Sequence, residues 1–277
     1  MADAVLEISR FGWRVYDSVT GFGEFIKFVL DVLTRFVAHP LRCLKWSLLG
    51  PQFYSVGVAS IPVVAITGAF IGMILALEGY EQFASLGQES RLGSVINISV
   101  IKQIGPVLAA VMVAGRVGGA LAAELGTMAV TEQLDAMRAM DADPLRILVA
   151  PRVVACIVMT PLLTIYSDIL GAWGAWFVTV RIHGVSSEDY WFFTSQALDL
   201  WDPVSGLLKS VAFGAAIGFI ACFKGFKCSA GAAGVGRAAT SAFVASFLAI
   251  VLINLVLAQF FGTLYFLATG RGSGLLP

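Results

Sequence analysis

Residues 105-GPVLAAVMVAGRVGGALAAELGTMAVTEQLDAMRAMDADPLRILVAPRVVA-155 change character twice. Up to Ala122 the stretch is apolar apart from Arg116, and from Ile147 it is apolar again apart from Arg152. Between these parts Glu124, Glu132, Asp135, Arg138, Asp141 and Asp143 crowd into a short segment. Two greasy segments joined by a short charged one read as two membrane-crossing helices with a polar element between them.

The rest of the chain repeats that design. Of 277 residues, 58% are hydrophobic and 13% charged, against about 25% charged in an ordinary soluble domain. Crossing roughly 30 Å of hydrocarbon takes about 20 apolar residues. Five runs qualify, at 55–79, 97–122, 147–178, 205–223 and 241–268. The expected fold is therefore an all-α integral membrane protein with five transmembrane helices. The first run starts too late and is too long for a signal peptide, and no Arg- and Ser-rich transit peptide precedes it. A formal net charge of zero argues against nucleic acid as a partner.

Residues 1–50 differ from the five-span region, 51–277. Phe22, Phe25, Phe28, Val29 and Val32 recur at helical spacing with Glu24, Lys27 and Asp31 between them. That pattern predicts an amphipathic helix lying in the membrane interface; a sixth span is disfavoured because charges recur about every four residues. Lys and Arg placement sets the orientation. If the N-terminus is cytoplasmic, all 18 basic residues except Arg91, Lys102, Arg181, Lys209 and Arg271 fall on inside segments. The C-terminus is then periplasmic. The segment 186–200, rich in Tyr, Trp, Phe, Asp and Glu, reads as a helix at the outer interface.

The charged stretch itself predicts a short helix over about 130–141. Thr131 is placed to cap it, with Glu132 and Asp135 in the first turn, where the helix dipole favours acids. Val130, Leu134 and Met137 share one face, and Pro144 disfavours helix at Asp143. Such an element suits docking of a soluble partner, and equally suits an ordinary solvated loop helix. Arg116 and Glu124, eight residues apart, share a face at the inner end of the second run and are expected to anchor the start of that helix. Gly68/Gly72, Gly115/Gly119 and Gly214/Gly218 read as helix-packing positions, and Pro62, Pro106 and Pro161 sit inside runs.

Catalytic and metal signatures are missing. There is no Ser-His-Asp set, no HExxH and no GxxxxGK[ST] phosphate loop. Cys43, Cys156, Cys222 and Cys228 lack metal spacing, and His39 and His183 are isolated. The Gly-rich segment 229-SAGAAGVGRAAT-240 reads as a connecting loop. No cofactor is expected in this chain.

The block 105–155 resembles the signature of the MlaE/YrbE permease family, the membrane subunit of ABC-type lipid transporters. So do IPVVAITGAFIGMILALEGY (61–80), LLKSVAFGAAIGFIACFKGF (207–226) and GAAGVGRAATSAFVASFLAIVLINLVL (231–257), in order and spacing. The resemblance implies a bacterial inner-membrane permease working as a homodimer on phospholipid, with a plastid envelope the second choice of location. It implies a cytoplasmic ATPase that binds ATP and Mg, a small STAS-domain subunit in many cases, and an MCE-domain lipid-binding protein outside. It also makes Glu132, Gln133, Leu134, Asp135, Ala136 and Met137 the coupling helix that docks into the ATPase.

For the substrate path, ionisable residues at the membrane edge are the natural suspects. Lys102, Gln103 and Lys209 lie at outer span ends and are expected to meet an anionic headgroup; the alternative for each Lys is snorkelling to the interface. Family members often carry Arg-Glu at the Lys102-Gln103 position and Asp at the Asn254 position, so this chain has amides where acids are common. Leu75, Leu77, Tyr80 and Leu86, with Leu255 and Gln259 near Asn254, are the expected acyl-chain lining. A permease for a small polar solute remains the alternative function. A membrane-embedded lipid-modifying enzyme would need clustered acids or histidines in the runs, and a passive scaffold would leave the coupling helix idle.

Overall fold

A computed structural model describes the backbone of residues 2–38 and 45–269 and the side chains of 20–38 and 45–267. His39, Arg42, Cys43 and Arg271 lie outside the described residues, as do the side chains of Arg10 and Arg14. The described residues are helical, with five helical segments long and apolar enough to cross a membrane.

The five spans are Trp46–Ser85, Glu89–Val130, Leu145–Ile182, Trp201–Phe226 and Ala232–Leu267. Each extends beyond its apolar run, because charged and aromatic residues at the run ends continue the helix. Span one breaks at Gly57–Ser60, where Gly57 caps the preceding turn and Pro62 opens the next segment. Pro is well placed there, since the first N–H groups of a helix have no intrahelical acceptor. Spans two and three each contain two π-helical turns, at Val100–Ile104, Ala114–Gly118, Leu145–Val149 and Phe177–Ile182.

Span three is the central element, packed against spans one and four, while span five lies on two and four. Glycine explains how closely they approach. A Cβ at Gly72 would run into the carbonyl of Gly171, and one at Gly214 into the carbonyl of Cys156. Backbones thus touch directly, which only small residues permit. The Gly115/Gly119 spacing makes no such approach, since its nearest neighbours stand at 3.5 Å or more. A core of Ala109, Ala110, Val113, Leu163, Phe213 and Ile217, among others, fills the centre.

The N-terminal helix, Ala2–Ala38, lies beside this body. Val32 is buried and Phe28 packs with it against the cluster of Leu125, Val149 and Val153. Phe25 meets Phe223 edge to face at 5.3 Å. The face set by Phe25, Phe28 and Val32 is the one the spacing predicts, and Glu24 on its flank pairs with Lys227.

At the other end of the spans, Ser187–Ala197 forms a short helix whose Ser186 Oγ accepts from the Asp189 N–H at 3.4 Å. Its Tyr190 is fully buried, passing over Gly93, and accepts a hydrogen bond from Asn97 Nδ2 at 3.2 Å. Burial pushes the Tyr190 phenol up to about 12, against the smaller lowering effect of that hydrogen bond. The unfolded chain therefore loses this proton first, near its ordinary value of 10. The group's contribution to stability is complete below that pH and declines as pH rises toward 12. Tyr190→Phe is expected to cost about 0.5–1.5 kcal/mol near neutrality and to remove that part of the alkaline decline, read by thermal melts across pH.

Candidate functional site

Two regions gather the residues singled out in the sequence. The first is the short helix between spans two and three, which runs Gln133–Ala139. Thr131 is not its cap: the hydroxyl turns back and donates to the Thr127 carbonyl at 2.8 Å, closing the preceding helix. Glu132 takes the N-cap position with φ +60°. A left-handed residue between two helices makes a sharp corner, so the short helix leaves the axis of span two.

The far side is equally abrupt. The Ala142 N–H donates to the Met137 carbonyl at 2.9 Å and Asp141 N–H to the Arg138 carbonyl at 3.1 Å, with Asp141 at φ +58°. This is a Schellman closure with aspartate where glycine is usual. The helix therefore ends several residues before Pro144, and Asp143 instead accepts from the Leu145 N–H at 3.1 Å to open span three. Leu134 is buried and Met137 half-buried, while Glu132, Gln133, Asp135 and Ala136 are exposed. Met140, 72% exposed at the tip, adds an apolar side chain to the surface of this corner.

Arg116 and Glu124 do not act together. Arg116 donates to Ser60 Oγ at 2.7 Å and so ties span two to the break in span one. Glu124 pairs with buried Arg152 at 3.2 Å. That pair joins the end of span two to the start of span three and brackets the short helix from both sides. Arg35 of the N-terminal helix reaches Asp143 at 2.6 Å, linking that helix to the same corner. Both partners are about one-third exposed, so a double-mutant cycle on Arg35→Ala and Asp143→Ala is expected to give a coupling below about 1 kcal/mol.

The second region lies at the opposite end. Pro106 has no N–H to offer the Lys102 carbonyl four residues earlier. The Lys209 ammonium fills that place, donating to Lys102 O at 3.1 Å and to Gln103 Oε1 at 2.8 Å. Lys102 in turn pairs with Asp202 at 2.9 Å, in the first turn of span four. Lys209 is only 2% exposed. Both ammonium groups are turned inward in this structure and bind spans two and four together. The acid that Gln103 does not supply comes from Asp202, a hundred residues away, which no local spacing reveals.

The remaining residues divide. Leu75 and Tyr80 pack against the cluster of Ala76, Leu92, Val100 and Val178, with Tyr80 edge-on to His183 at 3.7 Å. Leu77, Leu86 and Leu255 are exposed, as is Gln259, and Asn254 is half-buried, its Oδ1 without a hydrogen-bond partner among the described residues. Asp168 in span three was missed, because one acid inside a long apolar run barely alters its average. Its Oδ1 is buried against Gly105 with no partner among the described residues. An intramembrane carboxyl in that position is a functional suspect. The segment 232–240, expected as loop, is the first part of the helix of span five; its alanines favour helix and only Gly231, at φ +85°, makes the turn.

The comparisons with known proteins agree with this architecture. Residues 49–260 match the family model described as Permease MlaE. The chain is 40% identical over 250 residues to a "Probable ABC transporter permease protein" of Rickettsia bellii, covering 90% of this chain and 95% of the relative. It is 34% identical over 251 residues to the "Intermembrane phospholipid transport system permease protein MlaE" of Haemophilus influenzae, with the same coverage. It is 36% identical over 225 residues to "Protein TRIGALACTOSYLDIACYLGLYCEROL 1, chloroplastic" of Arabidopsis thaliana, covering 80% of this chain and 64% of that protein.

Proposed function

The chain belongs to the MlaE permease family of ABC-type transporters, and from that premise we propose that it carries phospholipid across or out of a bacterial inner membrane as a homodimer. The N-terminus is cytoplasmic in this reading. ATP and Mg are bound by a separate ATPase that grips the short helix Gln133–Ala139. A STAS-domain subunit and an MCE-domain protein on the periplasmic side complete the assembly.

The observation that carries the reading is the corner around Glu132–Asp143. A helix seated by Leu134, bent sharply at both ends and braced by Glu124–Arg152 moves as a unit with spans two and three. A rigid knob of that kind converts closure of two nucleotide-binding domains into movement of the spans. Glu132, Gln133, Asp135 and Ala136 form its docking face, with Leu134 and Met137 as its seat.

Lipid, rather than a polar solute, is supported by where the polar groups go. Lys102, Gln103, Lys209 and Asp202 are spent on one another, so they do not line a wet path. Leu77 and Leu86 on span one and Leu255 on span five offer exposed apolar surface for acyl chains, with Asn254 as the polar position beside Leu255. Leu75 and Tyr80 act as the wall behind. The Haemophilus relative's name speaks of phospholipid.

The test is purification of the tagged permease in mild detergent, with mass spectrometry of bound proteins and extracted lipids. An ATPase, an MCE-domain protein and stoichiometric phospholipid are expected. An ATPase with a soluble solute-binding protein and no enriched lipid would establish the polar-solute alternative.

A further inference from the structure

Away from the polar layer at the far end, a seam runs between the N-terminal helix and spans four and five. A cleft of about 540 Å³ lies there, with Phe22 and Phe25 on one wall, Ile220 and Phe223 on the second, and Ala245 on the third. The size is that of a small-ligand site. Phe22 is 63% exposed, so the cleft is open toward the surrounding medium.

Two lysines stand at its rim, and they differ. Lys227 is committed: its ammonium pairs with Glu24 and lies 5.1 Å above the Phe223 ring. Lys224, one turn earlier, is half-buried and makes no ion pair or hydrogen bond with any described residue. It belongs to the last turn of span four, which ends at Phe226. The helix end and the interfacial N-terminal helix put that turn at the level of lipid headgroups, and a lysine stem can lie along an apolar wall with its charge at the edge.

We propose that this cleft holds one anionic phospholipid per chain, with an acyl chain between Phe22, Phe25, Ile220 and Ala245 and the phosphate on Lys224. Basic pockets between helices at the membrane edge select such headgroups. This lipid is distinct from transported lipid: it sits at the opposite end of the spans from Leu86, and it wedges the N-terminal helix against span four. The inference requires membrane insertion but not the proposed substrate.

Native mass spectrometry of the purified full-length permease, titrated with phosphatidylglycerol or with phosphatidylcholine of the same acyl chains, tests it without ATPase or transport. The parent is expected to retain one phosphatidylglycerol per chain with a preference of about fivefold over phosphatidylcholine. Lys224→Glu should abolish the preference and Lys224→Arg should keep it. Ala245→Phe should expel the lipid while the charge remains, and excess glycerol phosphate should not displace it. Unchanged retention in Lys224→Glu, or in Ala245→Phe, overturns the proposal; so does displacement by glycerol phosphate, which would indicate a site for free phosphate. If Lys224→Glu fails to fold, the Arg and Phe variants decide the matter alone.

Discussion

Ala136→Arg is expected to reduce capture of the partner ATPase at least tenfold while leaving the permease as stable as the parent. Ala136 is exposed on the short helix and carries only a methyl group, and arginine is nearly as good a helix former as alanine. The folded permease should therefore change by no more than about 0.5 kcal/mol. A long charged side chain at the centre of a docking face has the opposite consequence for the complex. It displaces close contacts and demands desolvation, costing roughly 2 kcal/mol or more, which is more than tenfold in affinity. Pull-down with the tagged permease reads the first effect, and a thermal melt of the permease alone reads the second. A loss of ATPase accompanied by a large drop in melting temperature would assign Ala136 to folding instead.

Lys209→Met is expected to act in the reverse way. Methionine keeps the apolar stem but removes both hydrogen bonds of a side chain that is almost wholly buried. The Lys102 carbonyl, already deprived of a helical donor by Pro106, and Gln103 Oε1 would lose their partner together. Two part-buried acceptors left unpaired cost about 2–4 kcal/mol, or roughly 3–7 °C in melting temperature for a chain of this size. Co-purifying lipid per folded permease should be unchanged. If lipid were lost with stability intact, Lys209 would be a headgroup ligand after all, and the inward geometry would describe only one state of the transporter.

These two residues also mark what could be read from the sequence. The spans were legible because each contains more than enough uninterrupted apolar residues to cross a bilayer, and neither packing nor partners alter that requirement. The short helix was legible from the spacing of Leu134 and Met137. Its ends were not, because Thr131 had two carbonyl and amide neighbours to choose between and bonded backward. The corners at Glu132 and Asp141 use left-handed conformations that acids adopt less readily than glycine, so their sequence carries no turn signal. Lys102–Asp202 and Glu124–Arg152 were hidden for a different reason: their partners come together only when separate spans pack. Asp168 was overlooked because hydropathy averages conceal a single charge.

The Glu124–Arg152 and Arg35–Asp143 contacts give the corner two supports, one from the spans and one from the N-terminal helix. Under the proposed function, force applied at Ala136 and its neighbours would be shared among spans two and three and the N-terminal helix. A lipid bound at Lys224 would act on that same helix from its other side.

If movement of the short helix drives phospholipid transfer, transfer must fail when that helix cannot dock. The direct measurement reconstitutes the complex purified through the tagged permease into liposomes and follows ATP-dependent transfer of labelled phospholipid, with the Ala136→Arg permease, mixed with the same ATPase, as comparison. ATP-dependent transfer in the parent and its loss in the variant are the predicted result. No phospholipid movement in the parent, with ATP hydrolysis instead stimulated by a polar solute and its binding protein, would contradict the account.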